Sequence, residues 1–322
     1  MKLALAGDTM LGRGVAAALE SRTPETLVAS EVVAVVSEAD LFLLNLECCI
    51  SERGEPWPDP AKPFFFRAPP RATELLAYLG VDCVTLANNH ALDFGETALL
   101  DTLTHLADAG IAWVGAGANV AEAHASTVLE AGDVRLAVVA ATDHPQAYAA
   151  GPERPGVAFA DLWRGSVPEW LRESVAAAHA DADADAVLAT VHWGPNMVAA
   201  PLPHVRAAAE TLLDAGATLV TGHSAHVFHG AGERVLYDLG DFLDDYAVDR
   251  RLRNDLGLLF LVTFDGGRPV RVEAVPLALD FCHTRLAEGE DAAWVRNRFR
   301  SACAALGTEA TKRGGRLVVD WG

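Results

Sequence analysis

The chain carries acidic, amide and imidazole side chains directly after several short apolar runs. These positions are Asp8, Glu47, Asn89, His192, His223 and His226. Oxygen and imidazole donors of this kind, without thiolates, suit borderline divalent metals such as Zn²⁺, Mn²⁺ and Fe²⁺. Burying so many polar groups in one cleft is costly unless a cation neutralises them. The residue types therefore predict a metal site built from these six residues.

Several of these positions also have a simpler structural interpretation. Taken alone, Asp8 favours an N-cap of the helix that follows it, and Asn88-Asn89-His90 is compatible with an Asx turn. A lone His192 after an apolar run is more often a hydrogen-bonded core histidine than a ligand. His223 and His226 are a stronger signal, because two imidazoles three residues apart after a strand can point into one cleft. The metal hypothesis is favoured because, without a metal, all of the simpler interpretations would have to be correct at the same time.

Five apolar runs are predicted strands that must position these side chains. They span 3–6, 41–44, 81–86, 186–191 and 219–221. Helical patterns alternate with them at about 26–36, 69–79, 96–109, 167–180 and 203–215. Short runs of this type, often β-branched, are typical of strands covered on both faces. Since ligands of open α/β sheets bind at the carboxyl ends of strands, we expect the six residues to gather there.

The C-terminal third has a different pattern. Runs at 235–239, 258–264 and 270–279 are predicted strands, with a hairpin turn at Asp265-Gly266-Gly267. A helix at about 291–306 and a strand at 316–319 follow. The stretches 55–63 and 143–165 are predicted loops, and 52–66 is a candidate lid. The alternating Ala and Asp residues at 181–185 are expected to form a solvated turn.

Charge and hydropathy limit the partners. The chain has 25 basic and 44 acidic residues, a net charge of −19, which disfavours nucleic acid and anionic membranes. A small anionic substrate remains compatible if a local cation receives it. The apolar run at 3–6 is too short for a signal peptide, and no stretch approaches the roughly 20 residues of a membrane helix. Five cysteines without a CxxC pair indicate reduced thiols, so we predict a cytoplasmic protein and leave its oligomeric state open.

Six motifs together resemble the poly-γ-glutamate capsule synthesis (CapA) family. In chain order they are GDTMLGR at 7–13, NLE at 45–47, ANNHALDFG at 87–95, HWG at 192–194, GHSAHV at 222–227 and YDLGDF at 237–242. That family resembles the calcineurin-like metallophosphoesterases. The resemblance implies a four-layer α/β/β/α sandwich with a two-metal centre. It also implies one metallophosphoesterase-like domain over 1–322, with a motif-bearing core at 1–245 and C-terminal strands and a helix at 246–322 that complete it.

The resemblance also implies a ligand set for two divalent ions, Mn²⁺, Zn²⁺ or Fe²⁺. One ion would take Asp8, Glu47 and His226, and the other Glu47, Asn89, His192 and His223. His90 would act on the substrate rather than on a metal. Asp93 would either orient His90 or cap the following helix. Further candidates are Arg13 for catalysis and Asn45, Arg67, Trp193 and Asp241 for substrate binding, with the two arginines as anion clamps whose alternative is a surface ion pair.

The chain departs from the family pattern at four positions. Met10 stands where related enzymes have the histidine of an Asp-x-His motif, so the first metal site lacks one imidazole. Ala225 replaces a common proline, and Asn196 stands where glutamate is frequent. Asp241 replaces a common asparagine and adds a possible carboxylate ligand or base.

Three functions follow as hypotheses. The leading one is hydrolysis of phosphate esters through a hydroxide that two metal ions activate, with His90 donating a proton to the leaving group. An alternative is an amide or ester hydrolase or ligase that acts on γ-glutamyl compounds. The third is a non-catalytic protein of capsule-polymer biosynthesis, although the strong negative charge argues against binding a polyanionic polymer.

Overall fold

The computed structural model describes residues 1–180 and 183–322. Its α-helices, α1 to α8, are Arg13–Ser21, Ser30–Val36, Ala72–Leu79, Gly95–Asp108, Val120–His124, Glu169–Ala180, Pro203–Asp214 and Gly289–Ala305. Short 3-10 turns occur at Pro24–Thr26 and Gln146–Tyr148. The solvated turn expected at 181–185 lies partly outside the described residues.

Most strands are short, and they fall into two large sheets and two small pairs. In chain order β1 to β20 are Lys2–Thr9, Leu41–Leu46, Cys49–Ile50, Arg67–Ala68, Cys83–Thr85, Ala112–Val114, Ala116–Gly117, Thr127–Ala131, Val134–Thr142, Gly156–Val157, Ala186–His192, Leu219–His223, Ala231–Gly232, Val235–Leu236, Asp241–Leu243, Leu256–Asp265, Arg268–Asp280, His283–Leu286, Thr311–Arg313 and Arg316–Asp320.

The first large sheet has the order β19-β20-β17-β16-β1-β2-β5-β6, with β15 beside β1 and β18 beside β17. The second has the order β13-β14-β12-β11-β9-β8. Strands β1, β2, β5 and β6 are parallel, as are β9, β11 and β12. The C-terminal hairpin joins the first sheet because β16 pairs antiparallel with β1. The division of the chain into one domain stays a prediction.

Alternating side chains divide the core into layers. In β1, Ala4 and Ala6 face the helices, whereas Leu3 and Leu5 lie between the two sheets. In β11, Val187 and Ala189 face the helical layer of α6 and α7, and Leu188 faces the first sheet. This alternation follows from the two-residue period of a strand. Both sheets are thus covered on both faces, and the expected four-layer α/β/β/α architecture is confirmed.

The five predicted strands of the α/β part are confirmed, but β1 is longer than expected. It runs through Asp8 to Thr9, and α1 starts only at Arg13 with Gly12 as its N-cap. The N-cap interpretation of Asp8 is therefore wrong. The physical reason is tertiary pairing, since β15 adds a parallel neighbour to the end of β1 and keeps it extended.

The predicted strand at 235–239 is also corrected, because β14 ends at Leu236 and a separate strand β15 follows it. Between them the Asp238 side chain accepts a hydrogen bond from the backbone N–H of Gly240 at 2.8 Å. Gly240 has φ +74°, a left-handed conformation that ends a strand and that glycine adopts without strain. In the described ranges, no helix is long and apolar enough to cross a membrane.

Candidate metal centre

The ends of strands from both large sheets meet at one buried site. Register places His192 at the end of β11 beside His223 at the end of β12. On the first sheet Asp8 lies beside Asn45 of β2, and Glu47 follows that strand. All four residues, Asp8, Glu47, His192 and His223, are at most 2% exposed. The predicted donors therefore come from the strand ends of two sheets that meet at the site, and not from one sheet.

Two groups of candidate ligand atoms are compact enough to hold an ion. In each group the atoms lie within 4.8 Å of one another; the first is Asp8, Glu47 and His192, and the second is Asp8, His226 and Asp241. Asp8 belongs to both groups, whereas the resemblance implied Glu47 as the shared residue. His223 lies beside His192 in register but belongs to neither group. Asn89 is in neither group because the groups contain only carboxylate, imidazole or thiolate ligands. The predicted assignment of ligands to ions stays a prediction.

Several buried polar atoms of the site have no hydrogen-bond partner among the described residues. They are Glu47 Oε1, Asn89 Oδ1, both ring nitrogens of His192, His223 Nδ1 and Asp241 Oδ2. A buried polar atom without a partner costs about 1–3 kcal/mol, and more when it is charged. A neutral imidazole carries a hydrogen on one of its two nitrogens. The remaining atoms of this set offer lone pairs, so a divalent cation fits them.

The electrostatics of the site favour the same conclusion. Burial and the neighbouring Asp8 carboxylate raise the pKa of Glu47 well above its usual value. Burial lowers the pKa of His192 well below its usual value, and it lowers the pKa of His223 to about 4. Neutral imidazoles present lone pairs, and crowded carboxylates need a positive charge. The site therefore combines lone-pair donors with the negative charge that a cation would neutralise.

His226 lies among three carboxylates of the site. Its Nδ1 lies 2.8 Å from Asp241 Oδ1, 3.4 Å from Asp8 Oδ2 and 4.0 Å from Glu47 Oε2. Burial by itself lowers the pKa of His226, but the charges of Glu47 and Asp8 outweigh it, and the pKa is raised.

A strained turn directs His223 and His226 into the site. Ser224 has φ +108° and His226 has φ +57°, and neither is glycine. Such conformations cost of order 1–3 kcal/mol each and persist only where surrounding contacts hold them. Two carboxylates provide those contacts: Asp8 accepts from the Ser224 N–H at 3.2 Å, and Asp238 accepts from the Ala225 N–H at 2.8 Å.

His90 and Asp93 form a dyad beside the candidate ligands. His90 Nδ1 lies 2.6 Å from Asp93 Oδ2, and its Nε2 lies 4.0 Å from Glu47 Oε1. Helix α4 has Phe94 as its N-cap and no side-chain cap, so Asp93 does not cap it. Of the two alternatives for Asp93, the geometry favours orientation of His90. The Asx turn is also present, because Asn88 Oδ1 accepts from the His90 N–H at 3.0 Å.

Three further groups donate to the fully buried Asp93 carboxylate. They are the Phe66 N–H at 2.6 Å, the Tyr148 hydroxyl at 3.2 Å and the Lys62 ammonium at 2.9 Å. Phe66 also stacks on the His90 ring with the centroids 4.1 Å apart. Lys62 and Phe66 belong to the candidate lid at 52–66, so these contacts hold that segment against the dyad.

Two predicted substrate-binding residues make other contacts in the structure. Asn45 is fully buried and donates to Asp8 Oδ1 at 2.7 Å, so it orients a candidate ligand instead. Trp193 packs in the core between the second sheet and its helices, where its Nε1–H donates to the Tyr237 carbonyl at 3.0 Å. The alternation along β11 explains this correction, because His192 points inward and the next residue must point outward.

The two arginines differ in their surroundings. Arg67 donates to the carbonyl oxygens of Arg53 and Gly54 and lies over the Phe94 ring, so its guanidinium holds the loop. Arg13 pairs with Asp245 at 2.7 Å, and its side chain is 36% exposed. It also lies 5.8 Å from the centroid of Tyr246.

Sequence reasoning missed several residues that shape the site. The Tyr246 hydroxyl donates to Glu47 Oε2 at 3.3 Å, and Lys62 donates to the Asn89 carbonyl at 2.9 Å as well as pairing with Asp93. Asp238 was visible within its motif, but its role as an acceptor for two backbone N–H groups was not. Lys62 and Tyr246 lie in loops outside the six motifs. No local pattern therefore predicts their contacts with Asn89, Asp93 and Glu47.

Comparisons with known proteins agree with the motifs. Residues 2–246 match the family model described as bacterial capsule synthesis protein PGA_cap. The chain is 33% identical over 307 residues to the "Probable polyglutamine synthesis accessory protein" of Mycobacterium tuberculosis, covering 89% of this chain and 79% of that protein. It is 26% identical to the capsule biosynthesis protein CapA of Bacillus anthracis, covering 86% and 67%.

A likeness among solved structures concerns the fold alone. The structure of a hypothetical protein from Thermus thermophilus superposes with a TM-score of 0.51 at 17% identity. The match covers 86% of this chain and 98% of that one. The layered arrangement of the sheets is therefore shared beyond the range of recognisable sequence similarity.

Proposed function

We infer that this chain, which belongs to the PGA_cap family of bacterial capsule synthesis proteins, is a metal-dependent hydrolase of phosphate esters. One observation carries the proposal. Buried donor atoms of Glu47, Asn89, His192 and His223, without hydrogen-bond partners among the described residues, gather beside an oriented histidine where strand ends of the two sheets meet.

The metal-holding residues in this proposal are the six predicted ligands, of which Asp8, Glu47, His192 and His226 fall in the two compact ligand groups. Divalent ions bound there supply Lewis acidity, which polarises a phosphoryl oxygen and makes water a stronger acid. The protein contributes the positions of the donors, fixed by β-strand register and by the hydrogen bonds that Asn45 and Tyr246 make to Asp8 and Glu47.

His90 is the residue that handles a proton in this proposal. Its Nδ1 is held by Asp93, which leaves Nε2 directed toward the candidate ligands. Burial lowers the pKa of His90 to about 4, against the opposing effect of Asp93. An anionic substrate at hydrogen-bonding distance of Nε2 stabilises the imidazolium and raises that pKa again. His90 then donates its Nε2 proton to the departing alcohol oxygen.

The cations proposed for the site favour an anionic phosphate ester over a neutral substrate. The protein is strongly acidic overall, so an anion needs a local cation to approach. A dinuclear centre supplies that charge in the proposal, and the partly exposed Arg13 guanidinium offers a second cation near Tyr246. Guanidinium groups bind phosphoryl oxygens bidentately, although Asp245 must share the group.

The proposal is tested with metal-stripped protein reloaded with Mn²⁺, Zn²⁺ or Fe²⁺. Hydrolysis of p-nitrophenyl phosphate, bis-p-nitrophenyl phosphate and a triester is measured for the wild type and for His192→Ala. The matched control is His105→Ala, a half-buried histidine of α4 away from the site. We expect turnover that His192→Ala abolishes and His105→Ala keeps. Loaded protein that turns over none of the three esters refutes the phosphoesterase proposal.

A second candidate function is favoured by the names of the relatives. Proteins named for polyglutamine synthesis and capsule biosynthesis match most of this chain. The same donors suit hydrolysis or formation of a γ-glutamyl amide, because Lewis acidity also polarises a carbonyl. Release of glutamate from γ-glutamyl peptides, without turnover of phosphate esters, would favour this candidate over the first.

A further inference from the structure

The first metal position lacks the imidazole that an Asp-x-His motif would supply. Met10 occupies that place, fully buried, and its sulfur accepts a hydrogen bond from the Gly12 N–H at 3.1 Å. A thioether in this apolar setting is a poor ligand for Mn²⁺, Zn²⁺ or Fe²⁺. The ion on the side of Asp8 and His226 therefore needs another donor.

Strand pairing supplies one from a distant segment. β15 pairs in parallel with β1, and the register places Asp241 directly beside Asp8. Asp241 is 2% exposed, and its Oδ2 has no hydrogen-bond partner among the described residues. Its Oδ1 lies 2.8 Å from His226 Nδ1. Two carboxylates and one imidazole thus converge, with ligand atoms within 4.8 Å of one another.

We propose that Asp241 replaces the missing imidazole as a direct ligand of the ion held by Asp8 and His226. This inference rests on the proposed metal-dependent function. The contact of Asp241 Oδ1 with His226 Nδ1 at 2.8 Å, beside Asp8 in register, puts the three side chains in reach of one ion. The unpartnered Oδ2 remains available as a ligand atom of the same carboxylate.

The substitution has a consequence for metal preference. Carboxylate oxygens suit Mn²⁺ better than imidazoles do, and imidazoles suit Zn²⁺. The two compact ligand groups each contain two carboxylates and one imidazole. In the ligand assignment that the resemblance implies, however, Asp241 would bring the first position to three carboxylates and one imidazole, whereas the second combines Glu47 and Asn89 with His192 and His223. The two positions should therefore differ, with Mn²⁺ preferred at the first and Zn²⁺ at the second.

The test counts bound ions independently of activity. Wild-type protein, Asp241→Ala and Asp241→Asn are stripped, equilibrated with Mn²⁺, and analysed by elemental analysis and titration calorimetry. The control is Asp245→Asn, which removes a nearby buried carboxylate that pairs with Arg13 and belongs to neither ligand group. Far-UV circular dichroism verifies that each variant is folded.

We expect two ions for the wild type and Asp245→Asn and one for Asp241→Ala. Asp241→Asn should retain the second ion at least 10-fold more weakly, because the amide keeps an oxygen but loses the charge. Equal ion counts and affinities in wild type and Asp241→Ala would overturn the inference and leave the proposed function intact. A wild type that binds no ion would overturn the proposed function itself.

A crystal structure of the wild type with Mn²⁺ shows whether Asp241 is a direct ligand or only orients His226. A direct ligand places an Asp241 oxygen at bonding distance from the ion, slightly longer than the about 2.0–2.2 Å that carboxylate oxygens keep from the smaller Zn²⁺. An anomalous peak near Asp8 with both Asp241 oxygens beyond about 3 Å, still bonded to His226, contradicts direct ligation. That result would also explain a modest loss of affinity through orientation alone.

Discussion

Variants of the ion pair between Lys62 and Asp93 allow the effect on folding stability to be measured separately from the effect on catalysis. The Lys62 side chain is 12% exposed and that of Asp93 is fully buried, with 2.9 Å between Nζ and Oδ1. Removing one partner of a buried pair costs about 3–5 kcal/mol, because it strands the other charge. Lys62 keeps its bond to the Asn89 carbonyl and some contact with water. For Asp93→Asn we therefore expect a loss of about 3 kcal/mol, at the lower end of that range.

The double variant Lys62→Met/Asp93→Asn removes both charges. It should be less destabilised than the sum of the single variants, with a coupling energy of about 1.5–3 kcal/mol, the contribution of a charge-assisted hydrogen bond. Activity should respond differently. Asp93→Asn should lower kcat by about 10²–10⁴, the usual contribution of an oriented proton-transfer group. The double variant should stay inactive even though it is less destabilised than the sum of the single variants, because His90 still lacks its carboxylate partner.

Urea unfolding and hydrolysis rates of the four proteins check both statements. Additive free energies, with a coupling below about 0.5 kcal/mol, would refute the energetic role of the ion pair. Full activity of the folded Asp93→Asn protein would refute the assignment of Asp93 as the residue that orients His90. Lys62→Met alone serves as the control, since Asp93 then keeps the donors from Phe66 and Tyr148.

Three further predictions concern backbone packing, the metal and the outer core. Gly7→Ala should destabilise strongly, because a Cβ there would lie 1.8 Å from the Gly240 carbonyl oxygen, whereas Gly315→Ala meets no atom within 4 Å and should be nearly neutral in urea unfolding. Saturating Mn²⁺ at about 100 times its Kd should stabilise the stripped protein by about 2.7 kcal/mol, and an unchanged melting temperature would contradict a folded-state site. Trp193→Phe loses the bond to Tyr237 and should cost about 1 kcal/mol while kcat changes less than about twofold, as measured by unfolding and by ester hydrolysis.

Local patterns were sufficient for the α/β framework. The runs that became β2, β11 and β12 are buried throughout, and apolar runs of this kind form strands wherever both faces of a sheet are covered. The helices α4 and α7 lie within one or two residues of their expected bounds. Hydrophobic periodicity depends on residues a few positions apart, so it survives in the sequence alone.

The same patterns failed where distant segments decide the backbone. Residues 26–28 were expected to begin a helix, but Val28 pairs with Thr284, and α2 starts only at Ser30. The strand β15 was not predicted, since three residues give no periodic signal and its partner β1 lies over 200 residues away. A few neighbouring residues carry no information about which distant segment will pair with them.

By itself, the sequence determined the donor types, their positions after strands and their order in six family motifs. Those follow from chemistry and local spacing. Only the tertiary structure decided which atoms meet. It turned Asn45 toward Asp8 and Trp193 into the outer core, and it brought Asp241 beside Asp8. The physical reason is that a ligand site depends on side-chain direction and strand register to within an ångström or two, and packing across the whole chain fixes both.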